Sequence, residues 1–280
     1  MEANLRSFTD SSSPPLNDSS RVAFNSAASS YDAHFESFPA TRRLRSLIQA
    51  RLLSIFKTGD SVLELNCGTG TDALFLARHG IRVHATDGSP AMVEIVRAKA
   101  KDFAESSLVT TAVLPFDKLR TADLRPFDGA FSNLGGLNCC HDLAFLAESL
   151  GKLIKPGGYL LVCLLGCLSP WEISSFILRG KLGDARRRLN ATATTVHVQG
   201  VSVPIRYYSN EEIRRAFQPT FTIRYKQGLN IITPPPASVD ADRRLGWILQ
   251  PLQWIEDRIC SLPPFNRLGD HVLIVLERQQ

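Results

Sequence analysis

The chain has 280 residues, 44% of them hydrophobic and 21% charged, and a formal net charge of +5. That is enough apolar matter for one sizeable core, and it excludes a fibrous or wholly disordered chain. No apolar run approaches the roughly 18 residues of a membrane span, the first 20 residues place Ser, Asp and Pro where a signal peptide needs an apolar centre, and the six cysteines show neither CxxC pairs nor zinc-type spacing, so a cytoplasmic protein with reduced thiols and no metal site is expected.

Residues 1–22 are too polar to offset the entropy of ordering and are expected to form a disordered tail. Residues 23–58 read as an N-terminal lid and helix: Leu44, Leu47, Ile48, Leu52, Leu53 and Phe56 recur at helical spacing, with Arg42, Arg43, Arg45 and Arg51 mostly opposite. Between 59 and 166, short apolar runs at 61–65, 81–86, 108–113, 129–132 and 159–165 alternate with helical segments near 72–78, 90–103 and 143–153. Strands joined by helices of this length imply right-handed crossovers and a doubly wound, mostly parallel α/β sheet.

Residues 167–280 supply two more strands, 220–225 and 271–276, and Ser209-Asn210-Glu211-Glu212 is a capping-box signature for a short helix before the first. The segments 167–208 and 228–268 are then insertions that cap the core, carrying Trp171, Tyr207, Tyr208, Trp247 and Trp254. Within 167–230 stand ten basic residues (Arg179, Lys181, Arg186, Arg187, Arg188, Arg206, Arg214, Arg215, Arg224, Lys226) and four acidic ones (Glu172, Asp184, Glu211, Glu212). Such a cluster is either a solvated face or a surface for an anionic ligand.

The sharpest signal runs from Val62 through Glu64, Leu65, Asn66, Cys67, Gly68 and Gly70 to Asp72, a strand entering a small-residue turn that opens a helix. Gly68 and Gly70 would let the backbone approach a ligand closely, and Glu64 offers a carboxylate beside the turn. Asp87 ends the next strand, about 20 residues on, where an acidic side chain can accept from both hydroxyls of a ribose. A dinucleotide site fits less well, because the third Gly of GxGxxG is missing and Glu64 would repel a pyrophosphate.

These motifs resemble those of the class I S-adenosylmethionine-dependent methyltransferases over residues 30 to 165: LELNCGTGTDALFLA is similar to their first motif, ATDGSPAMV to their second, and LIKPGGYLLV to the turn and strand after their fourth helix. The resemblance implies a seven-stranded sheet and S-adenosylmethionine as cofactor. It implies that Glu64 and the backbone at Gly68 hold the methionine part, that Asp87 binds the ribose, that Gly88, Ser89 and Met92 line the adenine, and that Asn133 and Leu134 lie near the transferring methyl, with Gly70 in the same turn. Asn66 stands where the family usually has glycine, so that the turn there takes a left-handed conformation or differs in shape.

The acceptor is expected in the segment 133–142, which in this family contacts substrate. It lacks the Asn- or Asp-Pro-Pro-aromatic turn of exocyclic-amine methyltransferases, and Cys139 and Cys140 lack the neighbouring Pro of cytosine-carbon enzymes. A small-molecule acceptor methylated at O or N is therefore expected, apolar or aromatic in body, with cap arginines available to an anionic group. His141 is the candidate base, Tyr31 a lid residue contacting cofactor or substrate, and His34 a weaker one. His79, His84, His197 and His271 have no motif context. The alternatives are an RNA or protein methyltransferase and a non-methylating cofactor-binding protein of the same fold.

Overall fold

The structure, a computed structural model, describes residues 16–35, 38–189, 194–198, 201–236, 238 and 245–280. Among the described residues nine strands form, seven of them at the expected runs. β1 (Ser61–Leu65), β2 (Arg82–Asp87), β3 (Val109–Val113), β4 (Phe127–Ser132) and β5 (Ile154–Leu165) run parallel, and β8 (Phe221–Leu229) and β9 (His271–Arg278) complete a seven-stranded sheet in the order β3-β2-β1-β4-β5-β9-β8. β9 is antiparallel to both neighbours. Its first residue therefore lies at the edge where the parallel strands end, and His271 pairs with Leu165.

The strands read as near-continuous apolar runs because both faces are covered. On one face, α6 (Leu143–Leu153) and α9 (Asn210–Phe217) bury Leu146, Leu150, Ile213 and Phe217. On the other, α3 (Pro39–Ile55), α4 (Thr71–Arg78) and α5 (Pro90–Lys101) bury Leu44, Ile48, Leu52, Leu76 and Val96. Helix starts follow local chemistry: Pro39 and Pro90 occupy first-turn positions, Asp142 caps α6, and the expected capping box of Ser209 and Glu212 opens α9.

Three expectations need correction. Residues 16–22, expected in the tail, belong to α1 (Leu16–Ala27), while residues 1–15 lie outside the described set. The helix is ordered by tertiary packing that its composition does not announce: Ala23 is buried against Val203, Ile205 and Tyr207. Second, β8 runs to Leu229, four residues past the expected end, with a register shift between Ile223 and Tyr225, so residues 228 and 229 are sheet and not insertion. Third, β5 starts at Ile154, five residues early, because Ile154 pairs with Phe127 before an irregularity that carries Gly157 at φ +76°.

The insertion 167–208 folds into α7 (Pro170–Leu178), α8 (Leu182–Ala185) and a hairpin of β6 (Thr194–Val198) with β7 (Val201–Ile205). The later insertion carries α10 (Leu249–Ile259), whose buried Glu256 accepts from the backbone N–H groups of Asn230, Ile231, Ile232 and Thr233 and so fixes the loop after β8.

Candidate active site

The sheet order reverses between β1 and β4, which places a crevice over the carboxyl ends of those strands. A single cavity of about 1670 Å³ occupies it and continues under the cap. Its lining includes Tyr31, Glu64, Asn66, Gly68, Asp87, Gly88, Ser89, Met92, Asn133 and Leu134. Gly70 and His141, two of the expected site residues, do not line it.

Glu64 is buried, and its Oε2 has no hydrogen-bond partner among the described residues. Burial foremost, then the Asp72 charge, pushes its carboxyl well above the ordinary 4.5; Arg45 opposes them, and Asp87 adds a smaller upward push. Asp87 accepts from Gly68 N–H at 2.9 Å on Oδ2 and from Ser89 N–H at 2.8 Å on Oδ1. Burial raises its carboxyl, and these backbone donors pull it back. Gly68 has φ +53°, which favours glycine, and the Cβ it lacks would come no closer than 4.0 Å to any atom, that one being on Tyr31. A ligand carrying a cationic amine and a diol fits this lining: an orphaned carboxylate faces the amine, and a second carboxylate retains lone pairs for hydroxyls.

Asp72 is the acidic residue that motif reading passed over. It is buried, paired with Arg45 at 2.7 Å, and accepts from Gln49 and from Asn133 Nδ2, each within 2.8 Å. Asn133 is thereby committed on both sides, since its Oδ1 accepts from Leu134 N–H at 2.6 Å. Asn66 does take the left-handed conformation, at φ +48°. Its amide donates to Asn133 O at 3.1 Å and accepts from Ser132, tying the ends of β1 and β4 together. Gly136 makes room for it: a Cβ there would lie 2.1 Å from Asn66 Nδ2.

Gly70 has a packing reason to be glycine. At φ +80° it caps α4, and an added Cβ would meet Val96 at 2.7 Å. Ser89 caps α5 and donates to Asn25 Oδ1 at 2.6 Å, while Ala91 N–H also donates to Asn25. The N-terminal segment is thus tied to the turn after β2. Asp32 of α2 (Tyr31–Phe35) makes a second tie, accepting from Thr69 and from Lys99. Tyr31 lines the cavity, with its phenol pushed up to about 12 chiefly by burial. His34 falls within α2, but its side chain lies outside the described residues.

His141 does not line the cavity: it sits just before the start of α6, its Nε2 is buried without a hydrogen-bond partner among the described residues, and burial together with the Arg206 charge lowers its pKa. Burial lifts the Cys139 and Cys140 thiols to about 11 each, so neither is a thiolate near neutrality. The cavity instead holds His271, which motif reading set aside. Its buried Nδ1 lies 3.0 Å from Asp270 Oδ2 without making a hydrogen bond, and no hydrogen bond is made by Nε2 among the described residues. Asp270 Oδ1 is held by Arg188 at 2.6 Å, and Arg188 also binds Glu172, as does Arg187. Although burial opposes it, His271 and Arg188 keep the Asp270 carboxyl well below its usual range.

Of the cap aromatics, Trp171 and Tyr207 line the cavity. Tyr208 is buried against Cys140 O, whereas Trp247 is 84% exposed and Trp254 stacks with Arg258. The arginines of 167–230 are mostly committed: Arg187, Arg188, Arg206, Arg214, Arg215 and Arg224 each pair with a carboxylate of this chain. The basic segment is therefore not a free anionic-ligand surface along its whole length.

Residues 62–158 match the family model described as a methyltransferase domain. The chain is 31% identical over 153 residues to a demethylmenaquinone methyltransferase of Tropheryma whipplei, covering 51% of this chain and 57% of that protein. It is 32% identical over 130 residues to an S-adenosyl-L-methionine-dependent Diels-Alderase of Talaromyces variabilis, covering 43% and 42%. The chain thus spans about half the length of these relatives. Among solved structures it resembles geranyl diphosphate C-methyltransferase from Streptomyces coelicolor A3(2), with a TM-score of 0.60, 16% identity and coverage of 95% and 99%, a likeness of fold.

Proposed function

We propose that this chain, whose residues 62–158 match a methyltransferase domain, is a class I S-adenosylmethionine-dependent methyltransferase that methylates an apolar small molecule at oxygen or nitrogen. The observation that carries the reading is the continuity of one cavity, in which the Glu64, Gly68 and Asp87 pocket opens into a chamber bounded by Phe24, Trp171, Phe176, Ile205, Tyr207 and His271. The demethylmenaquinone methyltransferase relative supports an apolar acceptor.

In this reading Glu64 takes the cofactor's amino group, Asp87 its ribose hydroxyls, and Gly88 and Met92 its adenine edge, while Asn133 and Leu134 border the transfer site. When bound, the cofactor supplies an electrophilic methyl group on a sulfonium. The protein aligns the acceptor with it and excludes water, and neutral His271, with Asp270 beside its Nδ1, takes the proton from an acidic O–H or N–H acceptor at Nε2. The Diels-Alderase relative supports a second reading, cofactor binding without methyl transfer.

Calorimetric titration with S-adenosylmethionine tests the cofactor half. One site is expected, weakened at least about a hundredfold in Asp87→Ala, since hydrogen bonds to a charged acceptor are worth about 1.5–3 kcal/mol each. Wild-type affinity in that variant contradicts the assignment.

A further inference from the structure

Ten cations stand between 167 and 230, and three of them, Arg179, Lys181 and Arg186, have side chains with no ion pair or hydrogen bond among the described residues. They fall on one short stretch, α7 to the 3₁₀ turn Arg187–Leu189, and that stretch also carries unusually exposed aliphatic side chains: Ile177 at 51%, Leu178 at 87%, Leu182 at 64% and Leu189 at 52%. Leaving four large aliphatic side chains in water costs free energy that a monomer avoids by packing, and α7 and α8 pack on each other without covering them. Leu178 and Arg179 also border the cavity mouth.

We propose that this face docks on an anionic lipid surface, with Ile177, Leu178, Leu182 and Leu189 entering the headgroup boundary and Arg179, Lys181 and Arg186 meeting lipid phosphates. The mixture of exposed aliphatic residues with free cations, offset only by Asp184, complements a bilayer interface; an apolar protein groove would leave the three cations unmatched. The binding is peripheral, because no helix among the described residues is long and apolar enough to cross a membrane. The rim position of Leu178 gives the contact a purpose, namely that an apolar acceptor passes from the bilayer into the cavity without crossing water. That purpose rests on the reading of the acceptor given above, whereas the contact itself needs neither cofactor nor acceptor.

Flotation of the full chain with vesicles of phosphatidylcholine, alone or with 30 mol% phosphatidylglycerol as a stated probe (roughly one anionic lipid in three), tests it. Binding to the anionic vesicles is expected, little to the neutral ones, and loss in about 0.5 M salt, where screening acts over a few ångströms. Neutralising Arg179, Lys181 and Arg186 to Gln one at a time should weaken binding about fivefold per charge, the ratio corresponding to about 1 kcal/mol for each cation at an anionic surface. Leu178→Ser with Leu182→Ser should weaken it at least tenfold, with unchanged circular dichroism and melting to show folding. The proposal is overturned by absence of binding to anionic vesicles, by binding that these variants do not alter, or by sedimentation showing a dimer that the Leu variants dissociate, which would make the face an interface between copies. Loss of methyl transfer with intact vesicle binding would overturn only the catalytic reading.

Discussion

At the scale of single residues, the site holds groups whose unliganded state is costly. Glu64 is a buried carboxyl without a donor, its pKa raised first by desolvation and next by Asp72. Between the ordinary 4.5 and the raised folded value the folded chain binds a proton that the unfolded chain has released, so this group's contribution to stability falls as pH rises through that window. Glu64→Gln should therefore raise the melting midpoint of the cofactor-free protein near neutral pH, by roughly 2–4 °C per kcal/mol relieved, and weaken cofactor affinity. Melting curves and calorimetry read the two effects; a lowered midpoint would show that Glu64 is satisfied in the free protein. Asn66 and Gly136 form a second pair with a definite sign. Gly136→Ala puts a Cβ 2.1 Å from the Asn66 amide, which Ser132 and Asn133 hold in place. It should cost about 1–3 kcal/mol in the native background, and much less in Asn66→Gly, which keeps the left-handed turn but removes the obstacle. Additive denaturation free energies would refute the pairing.

At the scale of elements, the N-terminal segment and the cap are joined to the sheet by a few polar contacts that set the site's walls. Asn25 of α1 caps α5 jointly with Ser89, so Asn25→Ala should lower stability by about 1 kcal/mol. It should also weaken cofactor binding, because α1 is then released from the turn that carries Asp87 and Ser89; unchanged affinity by calorimetry would make α1 a bystander. Arg188 joins the cap to β9 through Glu172 and Asp270. Arg188→Gln leaves the buried Asp270 without its guanidinium and Glu172 with Arg187 alone, and should destabilise by about 3–5 kcal/mol by denaturant unfolding, whatever the acceptor's charge. These contacts also mark where sequence reading stops. The parallel strands and the motif turn were legible because a buried parallel strand writes itself as a continuous apolar run, and because Glu64, Gly68 and Asp87 lie within one strand–helix–strand unit, β1–α4–β2. The helix α1 was not, because its order comes from Ala23 against the β7 hairpin some 180 positions away. Nor was His271, which gains meaning only when β9 inserts antiparallel beside β5 and brings its first residue to the cavity. His141 shows the converse, lying near the motif in sequence yet outside the cavity lining.

At the scale of the whole molecule, a sheet that reverses its order between β1 and β4 makes a crevice, and the cap converts it into a chamber with a carboxylate end and an apolar end. A volume of about 1670 Å³ exceeds the roughly 300–1,000 Å³ of a usual ligand pocket, as expected where a cofactor and a second molecule are held together. The measurement that tests the central claim most directly is incubation of the purified chain with methyl-labelled S-adenosylmethionine and a lipid-rich metabolite extract, followed by separation into organic, aqueous, protein and RNA fractions. The account predicts label in a small organic-extractable product, formed in equal amount with S-adenosylhomocysteine and lost in Asp87→Ala. Label confined to protein or RNA, or tight cofactor binding with no S-adenosylhomocysteine formed, would contradict it.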